Sequence, residues 1–175
     1  MIKEATLASG CFWCTETLFS RMQGVISSMP GYSGGSVKNP AYREVCNGTT
    51  GHAECVHLKF DDDIISFQTL IEVFFDMHDP TTLNRKGADV GTQYRSAIFY
   101  HDEEQHQIAM QVMSSASKKF ENSIVTELSP FTEFYIAEVE HHDYYNQNQS
   151  QPYCNLVISP KVKKLMTSYT ALLKE

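Results

Sequence analysis

The residues best equipped for chemistry sit together near the N-terminus, in Gly10-Cys11-Phe12-Trp13-Cys14. The run lies where a weakly alternating stretch gives way to helical spacing, so Cys11 is expected at a strand-to-helix junction. A thiol there meets unpaired backbone N–H groups and the positive end of the helix dipole. Both favour thiolate, lower the thiol's pKa and make a nucleophile at neutral pH. Gly10 permits a close backbone approach or an unusual dihedral. Phe12 and Trp13, the chain's single tryptophan, are either core aromatics or an apolar wall beside the thiol. Such a wall suits a small apolar substrate group such as a methyl. Cys11-x-x-Cys14 has the spacing of a dithiol redox pair and also of half a zinc site. The other half is hard to supply, because His52 and Cys55 are not a usual ligand pair and Cys46 stands apart.

Composition narrows the partners. The 175 residues suit one domain, residues 1–175, with one core. A net charge of -7 argues against binding a phosphate backbone. Lys161, Lys163 and Lys164, the densest basic stretch, read as the solvated face of a C-terminal helix. No apolar run approaches the ~20 residues that cross a membrane. Residues 7–11 loosely resemble the end of a lipoprotein signal, but Glu4 and the lack of an apolar run of about 7–15 residues argue against export. The expectation is a cytoplasmic protein in a reducing compartment, where its five cysteines are reactive or buried thiols rather than a disulfide framework. No long exposed edge or heptad calls for more than a monomer.

The elements that must position Cys11 follow from periodicity. Residues 3–9 predict a strand, followed by a helix to about Met22 with Gly24 as its C-cap. A short strand near 25–28 precedes a long turn-rich loop through Pro30-Gly31-Tyr32-Ser33-Gly34-Gly35 and Asn39-Pro40. Its aromatics, Tyr32 and Tyr42, favour a functional loop. Residues 54–60 predict a strand. Ser66 caps a helix with the buried stripe Phe67, Leu70, Ile71, Phe74 and Phe75, ended by Asp79-Pro80. A second loop spans 81–94, and residues 95–100 predict a strand. Asp102, with Gln105 three residues on, caps a helix that turns Ile108, Val112, Met113, Ala116 and Phe120 inward. Strands near 124–128 and 134–138, an irregular polar stretch at 141–151 and a last helix opened by Ser159-Pro160 complete the chain. Strands mixed with helices without regular alternation predict an α+β fold, a mainly antiparallel or mixed sheet with helices packed on it.

Several spaced motifs resemble one family. They are Gly10-Cys11-Phe12-Trp13 with Glu16, Gly31-Tyr32-Ser33-Gly34-Gly35, Asn39-Pro40-Ala41-Tyr42-Arg43-Glu44-Val45-Cys46 and Thr50-Gly51-His52-Ala53-Glu54. His78-Asp79-Pro80-Thr81, Gly91-Thr92-Gln93-Tyr94-Arg95-Ser96, Glu138-x-x-His141, Pro152-Tyr153-Cys154 and Ile158-Ser159-Pro160-Lys161 follow in order. Together they resemble the A-type peptide methionine sulfoxide reductases over nearly the whole chain. The resemblance implies a two-layer α/β sandwich with a ferredoxin-like core. It also implies reduction of the S epimer of methionine sulfoxide, free or in proteins, without a metal or other cofactor. By position, Cys11 resembles the family's nucleophile, and Phe12 and Trp13 its methyl pocket. Tyr42, Glu54 and Tyr94 match the residues that hold the sulfoxide oxygen, and Asp89 a carboxylate that supports the site.

The chemistry makes these assignments sensible. Attack at sulfur builds negative charge on oxygen, so donors must stand where it develops. Two phenols and a neutral carboxylic acid supply them, provided Glu54 is shielded from water beside Phe12 and Trp13. Cys11 would emerge as a sulfenic acid, condense with a second thiol and be reduced by thioredoxin or a similar dithiol protein. Cys154 is favoured as that thiol, with the polar stretch 141–151 letting it swing in. Cys14 is the alternative, since many family members have glycine there, and a relay through both is a third course. Cys46 and Cys55 read as structural. Three other functions compete: a general disulfide oxidoreductase using Cys11 and Cys14 alone, a non-enzymatic module binding oxidised methionine or zinc, and a cysteine hydrolase. The hydrolase would draw its base from His52, His78, His141 or His142, with an orienter such as Asp143.

Overall fold

The computed structural model describes residues 1–174. The central sheet is built from β1 (Ile2–Ser9), β2 (Val25–Ser33), β3 (Ala53–Asp61), β6 (Ser96–Tyr100), β7 (Glu127–Pro130) and β8 (Phe134–Ile136), in the order β7-β6-β1-β3-β2-β8. β6 and β7 run parallel and the other neighbours antiparallel. Helix α1 (Phe12–Ser20) follows β1 and α3 (Phe67–Asp76) follows β3. The segment β1-α1-β2-β3-α3-β6, with its strands ordered β6-β1-β3-β2, is the ferredoxin-like arrangement expected.

Period-two alternation divides the strands between two faces. Ala5, Leu7, Val56, Leu58, Phe60 and Ile98 join Leu18, Phe19, Leu70, Ile71 and Phe74 in the main core. Ala8, Cys55, Ala97 and Phe99 fill a smaller cluster closed by Phe131 and Phe134. Cys55 is therefore a packing residue, as expected. α3 starts as read, with Ser66 accepting from the Thr69 N–H at 3.0 Å. α4 (Glu103–Ser117) starts where Asp102 accepts from the Gln105 N–H at 2.8 Å, while Gln105 returns a bond to the His101 N–H at 2.9 Å. None of the described helices is long and apolar enough to cross a membrane.

Several boundaries differ. β2 runs on through Pro30, Gly31, Tyr32 and Ser33, which the composition assigned to a loop. Pairing with β3 on one side and β8 on the other overrides local turn preference. α1 ends at Ser20 with Arg21 as its cap, and Gly24 (φ +89°) makes the later turn into β2. The first long loop contains α2 (Tyr42–Cys46), and the second a hairpin of β4 (Arg85–Lys86) and β5 (Asp89–Val90). The stretch expected to be irregular holds α5 (Tyr144–Gln147). The last helix, α6 (Ser159–Ser168), continues a π-turn over Cys154–Ile158. Pro160 explains the widened turn, because it offers no N–H and its ring crowds the preceding turn. Phe120 lies beyond α4, half buried.

Gly31 is where β2 lets β8 close, since a Cβ there would overlap the Tyr135 carbonyl and the Phe134 ring. Gly31→Ala is expected to destabilise the protein by about 1–3 kcal/mol. A urea midpoint equal to that of the parent would contradict the close approach.

Candidate active site

β1 delivers the chain to the site. Gly10 takes a φ of +108°, a region open to glycine, and a Cβ there would lie 2.9 Å from Lys86 Cγ. Cys11 then stands as the N-cap of α1, its carbonyl accepting from the Cys14 N–H at 3.1 Å and the Thr15 N–H at 3.3 Å. Its side chain makes no capping hydrogen bond, and the Trp13 N–H lies near the thiol of this half-buried residue.

Glu54 lies beneath this turn. On β3 it shares a face with Val56, Leu58 and Phe60, and it is 1% exposed. Its Oε1 accepts the Phe12 N–H at 3.1 Å, while Oε2 is buried without a partner among the described residues. Burial pushes the carboxyl up to about 8, against the Phe12 N–H and with help from Asp89. At neutral pH it is an uncharged acid whose O–H finds no acceptor among the described residues.

The same desolvation governs the Cys11 thiol. Burial first, and the neighbouring Glu54 second, push the Cys11 thiol well above the ordinary thiol range, against the Trp13 N–H. The expectation of a resting thiolate is corrected here. A helix start and one N–H do not offset the cost of holding a charged sulfur out of water beside a carboxyl.

Aromatic side chains enclose this pair. Tyr94 sits in a 3₁₀ turn (Thr92–Tyr94) with Glu54, Asp89, Cys46 and Cys11 around its hydroxyl. Tyr42 opens α2, donates its backbone N–H to Glu138 Oε2 at 3.0 Å and holds its hydroxyl near Glu54 and Cys46. Trp13 stacks on Tyr144 with centroids 3.8 Å apart and meets Tyr153 edge-on at 6.0 Å. Its indole N–H donates to His141 Nδ1 at 3.0 Å. Phe12 is fully buried between Tyr32, Tyr42 and His141, so it backs the site from within the core.

A thiol beside a neutral acid, with phenols directed at the same space, is suited to attack an atom that carries a polarised oxygen. A family model described as Peptide methionine sulfoxide reductase matches residues 3–172. The chain belongs to this family. Peptide methionine sulfoxide reductase MsrA of Saccharolobus solfataricus is 58% identical over 165 residues, which cover 94% of this chain and 93% of that protein. Methionine sulfoxide reductase A of Corynebacterium diphtheriae superposes with a TM-score of 0.80 at 36% identity, over 84% of this chain and 75% of that one. Mxr1 from Saccharomyces cerevisiae in reduced form gives 0.79 at 34% identity, over 84% and 86%. The same yeast protein in complex with Trx2 gives 0.57 at 26% identity, over 82% and 84%.

Within this methionine sulfoxide reductase fold the thiols form a row. Cys14, one helical turn after Cys11, is buried and pushed up to about 11 by desolvation, with Lys161 drawing it back down. Cys14 lies near Cys11 on one side and near Cys154 on the other. Cys154 is fully buried in the π-turn, its N–H bonded to Gln151 Oε1 at 3.0 Å. It therefore sits in a helical segment docked on the core, where a mobile polar tether was expected. Cys46 is half buried at Tyr42, on the rim of the site.

Tyr153 was not singled out from the sequence as a site residue. Its hydroxyl donates to Asp89 and contacts Cys11. Its adjacency to Cys154 was the available signal. Glu138 was also unassigned, yet it accepts from both the Tyr32 hydroxyl at 3.1 Å and the Tyr42 N–H. His141 faces the indole rather than the thiol, which removes the support for a hydrolase. The close Cys/His/Asp/Glu groups among the described residues include no cysteine, so the half zinc site finds no second half.

Alkylation of Cys11 tests the resting state. In a variant retaining only this cysteine, the rate is expected to be slow at pH 7 and to climb about tenfold per pH unit through pH 9. A plateau reached below pH 7 would show a thiolate instead.

Proposed function

We propose that the chain is a thiol-dependent reductase of the S epimer of methionine sulfoxide, free or in proteins, and repairs oxidised protein. The observation that carries the mechanism is the buried, partnerless Oε2 of a neutral Glu54 beside Cys11. A sulfoxide oxygen placed there accepts the carboxyl proton, with the Tyr42 and Tyr94 hydroxyls as further donors. Cys11 attacks the sulfur to give an S–S-bonded adduct that carries the protonated oxygen, and its own proton replaces the one Glu54 gives up; the hydroxyl then passes to the Cys11 sulfur as the S–O bond and the bond between the two sulfurs break and methionine leaves. Oxygen ends on Cys11 as sulfenic acid, so the thiol is oxidised and the sulfoxide reduced. The half-buried Trp13 ring is the wall for the substrate methyl, with Phe12 behind it. Asp89 holds Tyr153 against the nucleophile.

A second thiol then condenses with the sulfenic acid. Cys14 is its nearest candidate along the row and Cys154 the next, which favours a relay from Cys11–Cys14 to Cys14–Cys154. A thioredoxin-class dithiol reduces the final disulfide by exchange, in keeping with the yeast relative's complex with Trx2. One domain over residues 1–175, acting as a monomer in a reducing cytoplasm, fits five unpaired cysteines.

Turnover on separated epimers with a reducing dithiol tests the reading. Only the S epimer is expected to be consumed, and Cys11→Ser to abolish the reaction. Reduction of a model protein disulfide with neither epimer consumed would instead mark a general oxidoreductase. Glu54→Gln is expected to slow the chemical step by about 10²-fold or more. Glu54 is protonated below about 8, so the parent rate should fall as pH rises through that value. This limb should vanish in Glu54→Gln, and an unchanged rate there rules out the proton-donor role.

A further inference from the structure

Behind the nucleophile, away from the Tyr42 hydroxyl, lies a cavity of about 320 Å³. Cys11, Cys14, Asp89, Tyr153, Lys86 and Lys161 all line it. The two lysines differ. Lys86 Nζ donates to the carbonyls of Thr82 at 3.0 Å and Arg85 at 2.9 Å, so its ammonium is tied into the β4 loop. Lys161, in the first turn of α6, makes no hydrogen bond or ion pair among the described residues. The sequence placed it with Lys163 and Lys164 on a solvated face; those two are exposed, whereas Lys161 is half buried and turned into the cavity. The other charged or titratable groups there are Asp79 and His78 from the end of α3 and Asp89 from the hairpin. His78 is neutral, since burial pushes it down to about 3 and its ring bonds the Phe74 carbonyl and Ser96. Asp79 is occupied by the Thr81 N–H and hydroxyl, and Asp89 by Tyr153. Among the described residues that line this cavity, the uncommitted positive charge is thus the Lys161 ammonium.

Resting on the reductase reading above, we propose that Lys161 is a positioning residue for the resolving step: its ammonium stabilises the thiolate that Cys14 forms as it attacks the Cys11 sulfenic acid. The new S–S bond forms as the Cys11 S–O bond breaks. The Cys11 sulfur is reduced, the Cys14 sulfur is oxidised, and the departing hydroxide takes up the proton that Cys14 released, leaving as water. A buried thiol gains its anionic form only where a positive charge compensates for lost water, and Lys161 supplies that charge on the side away from the substrate. The arrangement separates two tasks: a neutral acid for the sulfoxide on one side of Cys11, and a cation for the second sulfur on the other.

The test is single turnover without reductant on Lys161→Met, Lys161→Arg and the parent. Methionine formation reports the first step, and loss of dimedone-reactive Cys11 sulfenic acid reports the second. The methionine burst is expected to be unchanged in all three. Closure of the disulfide at pH 7 should slow about three- to tenfold in Lys161→Met, because a tenfold smaller thiolate fraction is partly offset by higher nucleophilicity. The closure-rate profile should move to higher pH in Lys161→Met and return towards the parent in Lys161→Arg. Parent-like closure and pH profile in Lys161→Met overturn the proposal. So does normal closure in Cys14→Ser, which would assign the step to Cys154. If Lys161→Met loses the burst through misfolding, Lys161→Gln decides by the same two criteria. Absence of the burst in the parent itself would refute the reductase reading rather than this one.

Discussion

One carboxyl removed from water sets the terms for the whole site. Glu54 lies on the helix-facing side of a central strand, under the first turn of α1, where one backbone N–H is its only hydrogen-bond donor among the described residues. A charged carboxylate there would lose far more hydration than that bond returns, so the group stays protonated to about 8. The fold carries the consequence. Its carboxyl titrates above the ordinary value of 4.5, so the contribution to stability is complete below that value. It is lost as pH rises towards 8, at up to roughly 1.4 kcal/mol per pH unit. Stability is given up at high pH to keep a carboxyl out of water beside Cys11.

The surrounding elements maintain that dryness and aim the groups that share it. Tyr32 stands opposite Glu54 in the β2–β3 register, and its hydroxyl reaches Glu138, which also receives the Tyr42 N–H. One carboxylate thereby ties β2 to the start of α2. His141 fastens Trp13. Its Nδ1 accepts the indole N–H, so the neutral ring carries its proton on Nε2, and burial favours that neutral form. Glu16, buried on α1 and pushed up to about 7 by desolvation, accepts the Asp143 N–H on both oxygens and fastens the segment bearing Tyr144 over Trp13.

Low polarity acts on sulfur as it acts on oxygen, and the two needs conflict. A neutral Glu54 is useful, whereas a neutral thiol is a weak nucleophile. The structure divides the surroundings of Cys11 accordingly. One side presents acid and phenols, the other a cavity with two ammonium groups and the second thiol. This asymmetry is possible because Cys11 caps the helix, with different elements packed on each side of it, whereas a residue in mid-helix would have a single environment.

Much of this was legible in the chain. The stripe Phe67, Leu70, Ile71, Phe74 and Phe75, the caps at Ser66 and Asp102, and the alternation in β1 and β3 report local physics, so sheet and helices could be expected before any contact was known. The ordered motifs around Cys11, Tyr42, Glu54 and Tyr94 located the family and its chemistry. Other features depended on distant partners. The turn-like residues of Pro30–Ser33 became strand because β3 and β8 flank them, and Tyr153 joined the site through Asp89, 64 positions earlier. The Cys11 thiol was misjudged because a helix start is local, and hence visible in sequence, while desolvation is collective. Lys161 turned inward for a similar reason: the charge pattern shows only which residues are basic, and packing against α1 decides which of them meets Cys14. Residue types, element periods and family were thus written in the sequence alone. Tertiary structure decided protonation states and the sides from which Cys11 is approached, because both depend on how much water the assembled fold excludes.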